Sequence, residues 1–190
     1  KHEAKIMTAH HADDLVETIA INVTRGTGWR GLSVLDSSDI ERPLLTMTKA
    51  EIKDYAKQHE LKWHEDVTNS DTKYLRNDLR QKLTKLDADT HTLLGRYRNR
   101  QVELRRQIDS EASKVVKSSP FSRHLIIHSP SDSAEELMRA IIVRETGYYS
   151  TRPQLRRALH AVKVLHGGKR YEVASGVYLK LTKTHFCVEK

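Results

Sequence analysis

Cysteine is almost absent from this sequence of 190 residues. Cys187 is the single one, so the chain can form no internal disulfide and has no Cys-x-x-Cys metal site. Disulfide-free chains are typical of reducing compartments. We therefore expect a cytoplasmic location.

Long apolar runs are missing as well. No stretch approaches the roughly eighteen residues that a membrane-spanning helix needs, and the opening KHEAKIMTAHH lacks the apolar core of a signal peptide. We therefore expect no membrane partner. Aromatic residues make up only 6% of the chain, and charged residues make up 31%. This balance predicts a folded but highly solvated protein with long charged helices.

Acidic residues are too few to balance the basic ones. The 33 Lys and Arg exceed the 25 Asp and Glu by eight. Residues 151–170 hold six Lys and Arg and no acid. Clustered positive charge favours a polyanion such as nucleic acid as the partner, and a basic surface without a specific partner is the alternative.

The densest group of titratable residues lies where a short strand is predicted to run into a helix. The apolar start of KIMTAHH predicts the strand, and the four-residue spacing of Leu15, Ile19 and Val23 predicts the helix. The group consists of His10, His11, Asp13, Asp14 and Glu17. Carboxylates at such a junction can bind a divalent cation, hold an ammonium group or accept a proton. Helix capping explains one aspartate but not the whole group. A zinc site is disfavoured because the histidines are adjacent and no cysteine is near.

Two further segments combine arginine with turn or helix signals. In RGTGWRGL, Arg25 and Arg30 flank glycines, which fits either a phosphate-facing loop or a helix end with a tight turn. In YLRNDLR, Arg76 and Arg80 lie four residues apart with Asn77 between them. They form either a solvated basic stripe or a network with the acidic loop before them, which contains Asp66.

The rest of the chain is predicted to be mainly helical. Thr48 and Glu51 have the spacing of a capping box, followed by a buried stripe of Ile52, Tyr55 and Ala56. Leucines then recur at helical spacing from Leu75 to Leu86, and a long helix follows with Leu94, Tyr97, Gln101, Leu104 and Ile108. A domain boundary is expected near residue 118, between segments that look like loops. Two helices follow, at about 134–146 and after Thr151, and the alternating end of the chain predicts a small antiparallel sheet.

Taken together, five motifs resemble the ordered signature of the tRNA(Ile)-lysidine synthetase family, within the PP-loop (N-type ATP pyrophosphatase) superfamily. They are HHADDLVET, RGTGWRGL, RPLL, WHEDVTN and YLRNDLR, and they span residues 8–80 in family order. The resemblance implies an α/β fold. Residues 1–70 would be the C-terminal part of a Rossmann-like (adenine nucleotide alpha hydrolase-like) catalytic domain. Residues 71–117 would be a long-helix connecting region, and 118–190 a small α+β domain ending in antiparallel strands.

The resemblance also implies a reaction and its participants. The family uses ATP with Mg²⁺ to adenylate C2 of the wobble cytidine in the CAU anticodon of tRNA(Ile), and the amine of free L-lysine then displaces AMP. Catalytic roles would fall to His11, Asp13, Asp14 and Glu17, with Asp14 as a Mg²⁺ ligand. Phosphate of ATP or tRNA would meet Arg25, Arg30, Arg76, Asn77 and Arg80. A basic patch for tRNA would comprise Arg152, Arg156, Arg157 and Lys163. The oligomeric state stays open between a monomer and a homodimer.

One family motif is not found in this sequence, the Ser-Gly-Gly-x-Asp-Ser phosphate loop. We therefore expect a fragment of a longer enzyme that is inert by itself. Two alternatives stay open: a non-catalytic RNA-binding module derived from the family, and a related tRNA 2-thiocytidine synthetase. The single cysteine argues against thiolation, and the retained acidic group favours an enzyme, because carboxylates repel an RNA backbone.

Overall fold

The computed structural model describes residues 5–64, 75–83, 86–117 and 119–190. The chain divides into two compact units, Lys1–Arg105 (the first unit) and Arg106–Lys190 (the second unit). The elements, in chain order, are β1 (Ile6–Met7), α1 (Ala12–Thr24), a 3₁₀ helix (Trp29–Leu32), β2 (Ile40–Glu41), α2 (Lys49–Gln58), α3 (Leu75–Leu83), α4 (Ala88–Val115), β3 (Phe121–Ser122), α5 (Arg123–His128), α6 (Ser131–Thr146), α7 (Arg152–Val164), β4 (Arg170–Ala174), β5 (Val177–Leu181) and β6 (His185–Glu189).

In the first unit, a short parallel strand pair leads into α1. β1 pairs with β2, with Ile6 opposite Ile40. The core of this unit consists of Leu15, Val16 and Ile19 from α1, with Val34. Leu83 packs against this core, so α3 covers the same face of α1. The predicted strand and helix are both confirmed in position.

Several predicted buried stripes are wrong at particular residues. Tyr55 of α2 is 54% exposed and Tyr97 of α4 is 50% exposed. Leu75, at the start of α3, is 41% exposed. Helical periodicity identifies the apolar face of a helix, but whether another element covers that face depends on tertiary packing.

Two arginines of α4 hold the turn that follows the 3₁₀ helix. Arg98 is buried and donates from Nε to the carbonyl oxygen of Val34 at 2.7 Å and from Nη2 to that of Leu35 at 2.8 Å. Arg105 donates to a carboxylate oxygen of Asp36 at 2.5 Å. These contacts satisfy turn carbonyls that would otherwise lack partners away from water. Part of the basic charge therefore has a structural role.

The second unit is a four-stranded antiparallel sheet covered by helices. The strand order is β3-β6-β5-β4, and α5, α6 and α7 pack against the sheet and one another. Its core includes Ile126, Met138, Leu155, Leu179 and Phe186, each fully buried. The predicted terminal antiparallel sheet is confirmed, as is the start of α7 after Thr151. Of the two segments expected to be loops, residues 117–123 contain β3 and the first residue of α5, and residues 128–136 contain the end of α5 and the start of α6.

The described residues include no helix that is both long and apolar enough to span a bilayer.

Candidate functional site

The start of α1 brings the predicted acidic residues together. His11 is the N-cap residue, and Asp13 and Asp14 lie in the first turn. Asp14 accepts from the backbone N–H of His11 at 3.1 Å through Oδ2. Acidic side chains are favourable at this end of a helix, where the backbone N–H groups and the dipole carry partial positive charge.

Asp13 also reaches a second helix. Its Oδ2 accepts from the backbone N–H of Lys49 at 2.7 Å, and Lys49 is the first residue of α2. The N–H of Ala12 donates to the carbonyl oxygen of Met47 at 2.8 Å, which fixes the same junction. The predicted capping box of α2 is confirmed, since Thr48 and Glu51 bond each other's backbone N–H.

Two arginines of α3 complete the group, which we call the acid–arginine cluster: Asp14, Glu17, Arg76 and Arg80. Arg76 donates from Nε to Glu17 Oε2 at 2.8 Å and from Nη2 to Asp14 Oδ1 at 2.9 Å. Arg80 donates from Nε to Glu17 Oε1 at 2.5 Å and from Nη2 to Glu17 Oε2 at 3.1 Å. Of the two interpretations of YLRNDLR, the network is the one that the structure shows, with Asp14 and Glu17 as its acids. Asp66 lies outside the described residues.

The three carboxylates of this region, Asp13, Asp14 and Glu17, differ in how much of each side chain is exposed to solvent. The side chain of Glu17 is 2% exposed, that of Asp14 is 14% exposed and that of Asp13 is 35% exposed. Both oxygens of Glu17 accept from arginine. The hydrogen bond to Glu17, with the charges of Glu17, Asp14 and Asp13, raises the pKa of the Arg80 guanidinium above its usual value despite partial burial. Glu17 is therefore placed to hold Arg76 and Arg80, whereas Asp13 and Asp14 have surface that a ligand can reach.

Two histidines flank Asp13. His11 Nδ1 lies 3.4 Å from Asp13 Oδ2 and is buried, with no hydrogen-bond partner among the residues that the structure describes. His91, in the first turn of α4, lies 3.4 Å from Asp13 Oδ1 through Nε2, and its Nδ1 donates to the carbonyl oxygen of Asp87 at 2.9 Å. Sequence analysis missed His91 because no local motif marks it. His10 instead bonds the hydroxyl of Thr8 at 2.8 Å.

The glycine-flanking arginines do not join the cluster. Arg25 is the C-cap residue of α1, eleven residues beyond Asp14 and so roughly 16 Å further along the helix axis at 1.5 Å per residue. The guanidinium of Arg30 packs over the ring of Trp29 at 4.8 Å. Asn77 lies within α3 and is half-buried. The glycines of this segment act as a helix end and tight turn, since Gly26 and Gly28 have positive φ.

The predicted tRNA patch lies on α7, in the second unit. Arg157 and Lys163 are exposed. Arg152 and Arg156 donate from Nε to the two carboxylate oxygens of Glu135 on α6, at 3.2 Å and 2.8 Å. Burial opposes ionisation of Glu135, but the hydrogen bonds and charges of Arg156 and Arg152 outweigh it and hold its pKa below the usual value.

The carboxylates do not present an obvious set of metal ligands. Among residues 5–64, 75–83, 86–117 and 119–190, no group of three or more His, Cys, Asp or Glu could hold a metal ion. Both Asp14 oxygens accept from N–H donors, of Arg76 and His11. Each carboxylate oxygen keeps a second lone pair, so Asp14 can accept an N–H and also ligate a Mg²⁺ ion, and its role as a Mg²⁺ ligand stays a prediction.

Comparison with known proteins identifies the class of the first unit. The sequence profile of the PP-loop domain matches residues 1–87, a little less than half of the chain. This result confirms the expected family resemblance and a mixed α/β architecture. PP-loop ATP pyrophosphatases bind ATP, which agrees with the predicted use of that nucleotide.

The similar curated proteins share one name. The tRNA(Ile)-lysidine synthase of Exiguobacterium sibiricum is 33% identical over 150 residues, covering 72% of this chain and 36% of that protein. The enzyme of the same name from Wigglesworthia glossinidia brevipalpis is 43% identical over 90 residues, covering 44% of this chain and 22% of that protein. The one from Wolbachia pipientis wMel is 44% identical over 88 residues, covering 43% and 20%. The chain thus spans about a third or less of the length of these relatives.

Proposed function

We propose that this chain acts in lysidine formation on tRNA(Ile), joining lysine to C2 of the wobble cytidine of the CAU anticodon at the expense of ATP. The names of the similar proteins and the PP-loop match over residues 1–87 support this activity. The acid–arginine cluster is the observation that links this activity to particular residues. The cluster lies where β1 leads into α1. The carboxyl ends of parallel strands are where α/β sheets place their ligands.

The geometry suggests different roles for the three carboxylates. Glu17 is a positioning residue, because its buried oxygens hold both arginines of α3. Asp13 and Asp14 keep exposed surface and suit the ammonium group of lysine, or the proton that its amine loses on attacking C2. His11, whose buried Nδ1 has no hydrogen-bond partner in the described part of the chain, is the further candidate for this proton.

Arg76 is the cluster residue best placed to meet phosphate. Its side chain is 44% exposed while Nε and Nη2 are held by Glu17 and Asp14. A guanidinium fixed in this way presents its remaining edge in a defined orientation, which suits a phosphate of ATP or of tRNA. Mg²⁺ would accompany ATP, and Asp14, the predicted ligand, would supply a carboxylate oxygen to it. We further propose a cytoplasmic location, and a homodimer stays a prediction.

The test is a lysidine assay on the complete reading frame of the gene that encodes this chain. Purified protein is incubated with ATP, lysine and a tRNA(Ile) transcript, and the nucleosides are identified by mass spectrometry. We expect lysidine, and a loss of at least about a hundred-fold in rate for Asp14→Asn. Glu17→Gln should chiefly raise the KM for ATP or tRNA. Asp54→Asn, on the exposed face of α2, is the matched control and should leave the rate unchanged.

Each other outcome selects an alternative. Formation of 2-thiocytidine in the presence of a sulfur donor would identify a thiolating enzyme. Binding of tRNA without any modified nucleoside would identify an RNA-binding module. Full activity in Asp14→Asn would contradict the proposed role of the acid–arginine cluster, even if lysidine were formed.

A further inference from the structure

Helix α7 begins with positive charge at the end where a helix dipole favours negative charge. Arg152 is its first residue and Arg156 follows four residues later, and the first turn contains no acid. Two guanidinium groups near a helix N-terminus raise the local positive potential. An anion that binds these two arginines would be stabilised by their charge.

A single buried carboxylate from the neighbouring helix fixes the orientation of both arginines. Glu135 of α6 has a side chain that is 12% exposed, and it accepts from Nε of Arg152 at 3.2 Å and from Nε of Arg156 at 2.8 Å. The two arginine side chains remain 40% and 60% exposed. We call these three residues the arginine fork.

The free ends of the fork are the Nη groups. In the part of the chain that the structure describes, the contacts of Arg152 and Arg156 to protein acceptors run through Nε. Each guanidinium therefore keeps its Nη1 and Nη2 donors for an outside acceptor, and this terminal pair matches two oxygens of one phosphate. The charge of the fork, two arginines less one glutamate, is +1.

We propose that Glu135 is a positioning residue and that the arginine fork binds a backbone phosphate of RNA. The proposal rests on the proposed function for its choice of RNA, and it adds a defined phosphate site and the carboxylate that builds it. Holding both side chains before binding lowers the conformational entropy that a phosphate contact would otherwise cost. Arginine side chains that no carboxylate holds in place would lose more conformational entropy on binding phosphate.

The sign of one mutational effect tests this idea. Glu135→Gln removes a negative charge, so a carboxylate that only neutralises the surface predicts tighter RNA binding. A positioning carboxylate predicts weaker binding, because the arginines lose their fixed orientation. The measurement is fluorescence anisotropy of the full chain with a labelled tRNA(Ile) transcript at fixed salt. We expect the dissociation constant to rise by about three-fold to ten-fold; an unchanged or lower value would overturn the proposal.

Matched variants separate positioning from charge and from folding. Glu136→Gln makes the same charge change at the next residue, whose carboxylate pairs with Arg139 of the same helix, and it should bind equally well or slightly more tightly. Arg156→Lys keeps the charge but loses the fork and should weaken binding, whereas Arg96→Lys on the exposed face of α4, outside the patch, should not. If Glu135→Gln fails to fold in a circular dichroism melt, the lysine variants decide: equal affinity for Arg156→Lys and Arg96→Lys overturns the fork.

The proposal and the proposed function fail in different ways. Absence of lysidine together with fork-dependent RNA binding would overturn only the enzymatic activity. A single-stranded RNA and an RNA duplex of unrelated sequence serve as further probes, because a backbone contact should lose the same factor on each. Loss confined to the tRNA(Ile) transcript would overturn the assignment to backbone phosphate.

Discussion

The arginine side chains of this chain include two kinds, buried ones that bond the backbone and exposed ones that a ligand can reach. Arg98 and Arg123 are buried and donate to backbone carbonyl oxygens. Arg76 and Arg156 are held at one edge by a glutamate and remain open at the other. Residues of one type are thus used both for structure and for a surface. The net charge of +8 alone does not distinguish these uses.

At the residue scale, Gly31 is required by a close contact. A Cβ at this position would lie 1.7 Å from Oγ1 of Thr27, far inside van der Waals contact. Gly31→Ala should therefore lower the stability of the first unit by about 1–3 kcal/mol. The measurement is urea unfolding followed by tryptophan fluorescence, which reports on this unit because Trp29 and Trp63 both lie in it.

The matched control is Gly95 in α4, where an added Cβ would meet nothing within 4 Å. Gly95→Ala should raise stability by up to about 1 kcal/mol, since alanine favours the helix. Equal urea midpoints for the two variants would contradict the clash. Thr27→Gly should recover part of the stability lost in Gly31→Ala, because it removes Oγ1 and Cβ of Thr27, the two atoms nearest to the added Cβ.

At the scale of elements, both units use the same arrangement of helices. A buried glutamate on one helix accepts from two arginines that lie four residues apart on another. Glu17 of α1 holds Arg76 and Arg80 of α3, and Glu135 of α6 holds the pair on α7. Spacing of four places two long side chains on one face of a helix, so one carboxylate can meet both.

Arg123 fastens the end of α7 to the turn between two strands. It donates to the carbonyl oxygens of Val162 at 2.6 and 2.9 Å, Leu165 at 2.8 Å and Thr182 at 2.8 Å. Arg123→Met would remove the donors to these acceptors, of which the Val162 carbonyl is bonded in a buried position, and should destabilise the second unit by about 3 kcal/mol or more. A thermal melt followed by circular dichroism measures the loss. Arg157→Met, on the exposed face of α7, should change stability by no more than about 0.5 kcal/mol.

The lowered pKa of Glu135 makes the second unit sensitive to acid. Since arginine contacts favour its ionised form, Glu135 stabilises the fold fully above its usual value of 4.5, and this contribution is lost as pH falls through the lower pKa of the folded state. The urea midpoint of the parent chain should fall more between pH 7 and about pH 3 than that of Glu135→Gln. Parallel pH profiles for the two proteins would show that the carboxylate adds no pH-dependent stability.

At the scale of the whole molecule, positive charge is expected to act on RNA through phosphate neutralisation. Replacing the four patch residues by glutamine should make the slope of log affinity against log salt shallower by about 3. The residues changed are Arg152, Arg156, Arg157 and Lys163. A control with the same loss of charge changes four exposed lysines elsewhere, Lys5, Lys57, Lys62 and Lys114. If the two variants show the same slope, total charge rather than the patch governs binding.

Local sequence signals predicted the helices and strands better than they predicted which side chains are buried. The capping box at Thr48, the start of α7 and the terminal sheet follow from a few adjacent residues, and all three are confirmed. Tyr55 and Tyr97 were expected in buried stripes but are exposed. A repeat along one helix carries no information about the element that covers it.

Only the part of the candidate site that is local in sequence could be predicted. The acidic residues of α1 are close in sequence, so their grouping could be expected. The bond from Arg76 to Glu17 joins residues 59 positions apart, and the approach of His91 to Asp13 depends on where α4 begins. Such pairs are set by the packing of helices, and the family resemblance, rather than spacing, indicated that YLRNDLR belongs with HHADDLVET.

Asp13 places one carboxylate at the beginnings of two helices. One oxygen accepts from the Lys49 amide at the first position of α2, and the other faces His91. A cation that pulls this side chain toward itself would lengthen the hydrogen bond to an amide on a different helix. The NMR chemical shift of the Lys49 amide proton should therefore report cation binding at Asp13.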